Sequence, residues 1–428
     1  MPEGIRVWGE RAARAGALDA TMGVITAPQS ILGTAGDGYS IASLPQIRAA
    51  FSAWEPREVF PYAPVAGTGA FREGWRRWIG MKAAGDFSGP GPLEERLTLP
   101  VATAGVSGAL AALGHLVLDP GDTVLVPDRR WDGYDTTFGI VNGARVVPVR
   151  LLDGEGWDLG AWRDALLRAA RERGRAICVV NFPHNPTGYV PSDEEAESFA
   201  RLASEVAAET GGAVVVLCDD AYEGYVYADR PRGSLFYRLV DRHSRLLPIK
   251  CDGITKELLF WGGRLGAATT VFHQDHGTDE RAVAEAEWEN KLSAVVRGMI
   301  SSASTPVQTL IARLLADPAA LIEARAPIVR SLVERHRAFT RALESTPARE
   351  AFRPDPFHGG LFALLNLTRG DAVGAARILL SGPRIGVVPF GGAGLDLNAL
   401  RVTYATVPAD RIETLVQEAA RAARESAG

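Results

Sequence analysis

Cysteine is scarce. The chain has three in 428 residues, at 178, 218 and 251, too few for a disulfide framework. Each sits in or closes an apolar run (ICVV, VVVLC, LLPIKC), which reads as buried thiols in a reducing compartment. Long apolar runs are missing as well. The longest, such as 213–218, reach six or seven residues, far short of the roughly 20 needed to cross a bilayer. The opening stretch MPEGIRVWGERAARAG lacks an apolar core with a small-residue cleavage site, so it does not read as a secretory signal. The expected location is the cytoplasm, with no membrane partner. Positive charge is not in excess: 46 Lys and Arg stand against 51 Asp and Glu, a net charge of -5. That balance argues against nucleic acid as a partner. Seven histidines fall into no HExxH or CxxC spacing, and no metal site is expected. Lysine is the most informative shortage. The 46 basic residues comprise 42 arginines and only Lys82, Lys250, Lys256 and Lys291. Arginine does not deprotonate at accessible pH, so any amine chemistry falls to one of those four.

What is present is the composition of an ordinary globule, with 46% hydrophobic and 23% charged residues. At roughly 150 residues per domain the length suits two or three structural units. Residues 105–118 read as an Ala/Leu-rich helix, and 123–126 and 144–149 as short strands. An amphipathic helix is expected at 158–173 and strands at 176–181 and 213–218. Between those strands, Ser192 and Glu195 form a capping box that opens a helix. Continuous apolar strands separated by helices imply an α/β fold: a mainly parallel sheet sandwiched by helices. Ligands of such sheets gather at the carboxyl ends of the strands. After Thr305 the pattern changes to a long helix at 319–346, short strands at 360–366 and 400–404, and a closing helix at 409–423. The expected division is an N-terminal arm at 1–50 that joins the smaller unit, a large domain at 51–318, and a small α+β domain at 319–428.

Three segments carry chemistry. In Asn181-Phe-Pro-His-Asn-Pro-Thr-Gly188, two prolines and a glycine end a strand in a rigid turn and hold Asn185 between them. His184 within it reads as a surface turn residue. The strand VVVLC ends in Asp219-Asp220-Ala221-Tyr222. A carboxylate at a buried strand end needs a positive partner, and a protonated ring nitrogen would serve, with the phenol three residues on reaching the same ring. Last comes Asp252-Gly-Ile-Thr-Lys256, followed eight residues later by Arg264 in a glycine-rich bend. Lys82 and Lys291 lie in amphipathic helical stretches and read as solvated-face residues. Lys250 abuts a strand end and fits either reading; Lys256 has the unusual context.

In this order, the three segments resemble the fold-type I pyridoxal-phosphate enzymes of the aspartate aminotransferase superfamily. The resemblance runs over almost the whole chain. It implies pyridoxal 5'-phosphate as cofactor, joined as a Schiff base to Lys256. Asp219 would keep the pyridine nitrogen protonated, Tyr222 and Asn185 would hydrogen-bond the ring oxygen, and Arg264 would bind the phosphate. The turn with Gly105, Val106 and Ser107 looks like the family's phosphate turn, where the free amides of a helix N-terminus favour a dianion. Trp131 matches the aromatic that stacks on the ring. Tyr62 resembles the tyrosine that reaches the neighbouring subunit's phosphate, which implies a homodimer with shared active sites. Arg401 matches the clamp on the substrate α-carboxylate, a task suited to a bidentate fork. Arg297 aligns with the arginine that grips a second carboxylate from across the dimer in aspartate-type members. One position departs from the pattern: Gly253 stands where the family commonly has a serine phosphate ligand, with Thr255 as the nearest substitute.

The implied activity is transfer of an amino group from an α-amino acid, with aspartate or glutamate favoured by Arg297, to a 2-oxo acid. The alternative keeps the cofactor but performs elimination, replacement, cyclisation or oxidation on an amino acid or S-adenosylmethionine. A regulator fused to a DNA-binding module is disfavoured, because no basic recognition helix precedes Tyr62.

Overall fold

The fold is taken from a computed structural model that describes residues 4–34, 36–50, 54–390 and 397–427; the first three residues of the opening stretch lie outside them. Seven strands build the large sheet: β1 (Val101–Thr103), β2 (Thr123–Pro127), β3 (Arg145–Val149), β4 (Arg175–Asn181), β5 (Ala213–Asp219), β6 (Leu246–Gly253) and β7 (Gly266–Thr270). Their spatial order is β1-β7-β6-β5-β4-β2-β3. The pairs from β3 across to β6 are parallel, and β7 runs antiparallel to both β6 and β1. This is an α/β fold with a mainly parallel sheet. The central strands are mainly apolar because helices cover both faces; Val214, Val216 and Leu217 are fully buried, each worth about 1.5–3 kcal/mol of apolar transfer. Strands β1 and β7 were not legible. One has three residues, and the other is GAATT, whose small side chains carry no branched apolar run.

Helix α1 (Gly69–Lys82) precedes the sheet, and the expected helices are present: α2 (Gly105–Val117), α3 (Leu159–Arg173) and α4 (Asp193–Thr210). Asp158 caps α3 by accepting from the Ala161 amide at 2.9 Å. Both arms of the α4 capping box form, with Ser192 Oγ accepting from the Glu195 amide and Glu195 Oε2 accepting from the Ser192 amide. The second oxygen of Glu195 is also used, taking the Trp157 amide and the Tyr189 hydroxyl.

Beyond α5 (Thr278–Ile300), the long helix α6 (Pro318–Leu343) leads to a second, antiparallel sheet. Its strands are β8 (Phe352–Pro354), β9 (Phe362–Leu367), β10 (Val388–Phe390) and β11 (Ala399–Thr403), in the order β8-β9-β11-β10. The terminal helix α7 (Ile412–Glu425) packs against α6. A separate apolar core forms around this sheet. The N-terminal residues are divided between the two cores. Trp8 and Ala20 join the smaller one, while Ile25, Ala27, Leu32, Ala42, Leu44 and Ile47 join the larger. Helix α6 also serves both, with Leu321, Ile328 and Leu332 in the large core and Phe339 and Ala342 in the small one. Among the described residues no helix is long and apolar enough to cross a membrane.

Replacing Ser192 with alanine removes one arm of the α4 capping box, and is expected to lower the unfolding free energy by about 1 kcal/mol in a urea titration.

Candidate active site

Sheet register sets the site. Asn181, Asp219 and Cys251 are aligned neighbours at the carboxyl ends of β4, β5 and β6, and Gly253 and Thr103 lie opposite Gly266 of β7. Asn181 braces this corner: its side-chain amide donates to the Asp219 carbonyl at 2.7 Å, and its oxygen accepts from the Asn185 amide at 2.9 Å. The Asp219 carboxylate is buried. It accepts from the Tyr134 hydroxyl at 2.6 Å and the Ala221 amide at 3.2 Å. Burial pushes its pKa up, while Tyr134 and the Lys256 charge oppose that rise.

Lys256 follows β6 in a short helical turn, Ile254–Glu257, whose Lys256 carbonyl is held by the Tyr225 hydroxyl at 2.7 Å. Its ammonium lies 5.0 Å from the Tyr222 ring centroid. Desolvation lowers its pKa, Asp219 works against this, and Arg264 adds to it. Arg264 adopts a left-handed conformation that turns its guanidinium back to Thr255, donating to Oγ1 at 2.9 Å. There it lies against Gly105, at φ +75°, where a Cβ would come 2.8 Å from Arg264 Nη2. Val106 and Ser107 follow Gly105 in the first turn of α2, which has no side-chain cap. Free helix amides, a hydroxyl and a guanidinium together form a cradle suited to a phosphate dianion.

The departure at Gly253 has a steric cause. A Cβ there would lie 2.8 Å from the Leu265 carbonyl oxygen and 2.9 Å from Gly266 Cα. Gly266 in turn abuts the backbone of Gly105. Glycines 253, 266 and 105 thus stack backbone on backbone, and a serine at 253 has no room.

Arg401 comes from β11 of the small sheet. Its Nη1 donates to Asn185 Oδ1 at 3.2 Å and its Nη2 to the Thr21 carbonyl at 2.5 Å, with the guanidinium 4.4 Å from the Phe362 ring centroid. Burial lowers its pKa to about 10, so it stays charged at neutral pH. Among the described residues its Nε is buried without a hydrogen-bond partner, a donor left over for a ligand. Trp131 is half-buried and meets Tyr134 edge-on at 5.5 Å. Tyr62 is 92% exposed and Arg297 is exposed on α5. Among the described residues no hydrogen bond or ion pair joins either of them to this group.

Two readings of the sequence are corrected. His184 is buried, not a surface residue: Nδ1 lies 2.9 Å from Thr187 Oγ1, and burial beside the Arg129 charge lowers its pKa to about 3. Lys82 is not on a solvated face either. Its side chain is 14% exposed, and its ammonium lies 2.6 Å from Glu223, 2.7 Å from Glu257 and 3.7 Å from Asp252. Trp75 and Trp78, two turns and one turn earlier on α1, donate their indole N–H groups to Asp252 and Glu257. The spacing 75, 78, 82 marks one helix face, and that stripe was the available signal. Those three carboxylates have the spacing of a metal site, but the Lys82 ammonium occupies the cation position.

Lys250, open in the sequence, lies inside β6 with its side chain fully buried, 2.5 Å from Asp220 and 2.8 Å from Glu223. Burial disfavours its charge, yet the two carboxylates outweigh burial and hold its pKa well above the ordinary lysine value. Lys291 pairs with Glu287 on the surface of α5. Among the described residues, Lys256 is therefore the one lysine without an ion pair and the one with a lowered pKa.

The family model for aminotransferase class I and II matches residues 37–418. The chain belongs to that family. Its relatives include a probable N-succinyldiaminopimelate aminotransferase of Mycobacterium tuberculosis, 38% identical over 29% of each chain, and an aspartate aminotransferase of a Bacillus species, 23% identical over 75% of each. The first of these alignments thus spans less than a third of the relative's length. Among solved structures, an aminotransferase from Anaerococcus prevotii superposes with a TM-score of 0.81 at 19% identity, covering 98% of this chain and 96% of the other. The aspartate aminotransferase of Thermus thermophilus gives 0.72 at 22%, covering 99% and 97%. These likenesses carry the fold. The glycine cradle and the unpartnered Arg401 Nε are what fit the family's cofactor, pyridoxal 5'-phosphate, and an amino acid beside it.

Lys250→Met leaves Asp220 and Glu223 buried beside an apolar group; the expected loss is about 3–5 kcal/mol of stability, read by chemical denaturation.

Proposed function

We propose that the chain is a pyridoxal-phosphate-dependent aminotransferase, moving the amino group of an α-amino acid to a 2-oxo acid. The observation that carries this reading is the position of Lys256, the one lysine among the described residues without an ion pair, over the Tyr222 ring and within the fields of Asp219 and Arg264. When bound, the cofactor supplies an aldehyde that takes up the amino group and a ring that accepts the electron pair released at Cα. Asp219 would keep a proton on the ring nitrogen. Tyr222 and Asn185 would donate to the ring oxygen, Trp131 would lie against the ring, and Gly105, Val106, Ser107, Thr255 and Arg264 would hold the phosphate. Arg401 fixes the substrate carboxylate through its fork, which orients Cα toward Lys256. The lowered pKa of Lys256 leaves its amine more readily neutral, as a base at Cα requires.

Two exposed residues belong to the same reading. Tyr62 and Arg297 would complete the site of a second copy, so we place the protein as a homodimer, with Arg297 favouring aspartate or glutamate as donor. The three cysteines are buried free thiols, which suits a reducing cytoplasm. The division at 50 and 318 is retained as the domain proposal, with the arm shared between the two cores.

Lys256→Ala is expected to abolish both amino transfer and the visible absorption of the covalently held cofactor; normal turnover in that variant overturns the assignment. Glutamate added to the wild-type protein should shift the cofactor spectrum to that of its aminated form. No shift with any of a panel of amino acids would instead favour elimination, replacement or oxidation. Arg401→Lys loses the bidentate fork, and KM for the donor should rise about tenfold to a hundredfold in steady-state assays.

A further inference from the structure

To serve the ring nitrogen Asp219 has to remain an anion although it is buried, and burial alone favours its protonated form. Only one side-chain hydroxyl among the described residues donates to it: Tyr134, at 2.6 Å to Oδ2. Tyr134 is itself buried at 1% exposure. Its ring is stacked on Phe138, with centroids 6.2 Å apart and planes at 29°, and meets Trp131 edge-on at 5.5 Å. It precedes a π-helical stretch, Asp135–Val141, that carries Phe138. One rigid side chain therefore touches both Asp219 and Trp131, the two residues that would meet the ring nitrogen and the ring face of the cofactor.

We propose that Tyr134 is a positioning residue that keeps Asp219 ionised and sets Trp131 and Asp219 in register with each other. The proposal rests on the reading of Asp219 as partner of the ring nitrogen. Two features support it beyond simple packing. The phenol's own pKa is held well above its ordinary value, by burial first and then by the Asp219 charge, so it acts as a donor and never as a competing anion. The other Asp219 oxygen has only the longer bond from the Ala221 amide, so loss of the hydroxyl leaves a desolvated carboxylate short of donors. A proton then shifts from the ring nitrogen toward Asp219, and the ring loses positive charge.

The test compares Tyr134→Phe, which keeps the ring and removes the hydroxyl, with Phe138→Leu, which keeps the hydroxyl and removes the stacking partner. Pyridoxal 5'-phosphate is titrated into each apo-protein, and the pH midpoint of the bound cofactor's visible absorption is followed. For Tyr134→Phe, the dissociation constant should rise about tenfold or more. The absorption midpoint should move to higher pH, since a less cationic ring no longer depresses proton affinity at the aldehyde end. In turnover, kcat should fall by about the same factor, with KM changed less. Phe138→Leu should lower thermal stability while leaving the midpoint in place. Unchanged binding and midpoint in Tyr134→Phe, with both altered in Asp219→Asn, overturn this inference alone. If Asp219→Asn also changes neither, the reading of Asp219 fails and takes this one with it. Should Tyr134→Phe not fold, 3-fluorotyrosine at position 134 is a stronger donor of nearly the same shape, and must move the midpoint to lower pH; an unmoved midpoint overturns the proposal.

Discussion

Charge buried without water is the constraint around which this molecule is organised. Asp219, Asp220, Glu223, Asp252 and Glu257 are all withdrawn from solvent at or just beyond the ends of two adjacent parallel strands. Each would be costly alone. Four of them are met by Lys82 and Lys250 and by the side chains of Trp75, Trp78, Ser234 and Tyr237. Asp219 is left on the other side of this network with Tyr134, the Ala221 amide and Lys256's field. The division is informative, because the neighbours in sequence, Asp219 and Asp220, point to opposite tasks. Alternation along an extended strand end sends one to the ligand side and the next into the scaffold.

The scaffold network also separates the lysines by charge state. An ammonium between two carboxylates has its pKa raised, and its lone pair is not available to an electrophile. Burial without a paired carboxylate does the opposite, and only Lys256 is so placed. Reactivity here comes from where the acids are absent as much as from where the amine is. The same four acids flank the functional positions in sequence: Asp220 and Glu223 bracket Tyr222, and Asp252 and Glu257 bracket Lys256. A rigid ionic frame behind both loops fixes the residues in front of it.

Close backbone packing does comparable work beside Arg264. Gly253, Gly266 and Gly105 allow β6, β7 and the start of α2 to approach within van der Waals contact. That approach brings Arg264 onto the α2 terminus and excludes a side chain at 253. The missing serine is thus a consequence of how tightly the cradle is built, with Thr255 and Arg264 supplying the polar groups beside it.

Local pattern determined a good deal. Apolar runs located β2 to β6 because a strand covered on both faces is mostly apolar along its length, and the Ser192 box located α4 because capping is a contact between residues three apart. The asparagine turn, the DDAY corner and the GITK segment were legible for the same reason: each is a short stretch whose residue types are constrained by one strand end. The tertiary structure decided what depends on separated segments. It drew Lys82 inward because its partners come from residues 140 and more positions away, and the burial of His184 arises from the fold around its turn. Tyr134 stood in plain sight three residues after Trp131. Its meaning required the approach of Asp219 from a strand 85 residues later, and no periodicity along the chain encodes a hydrogen bond across that distance.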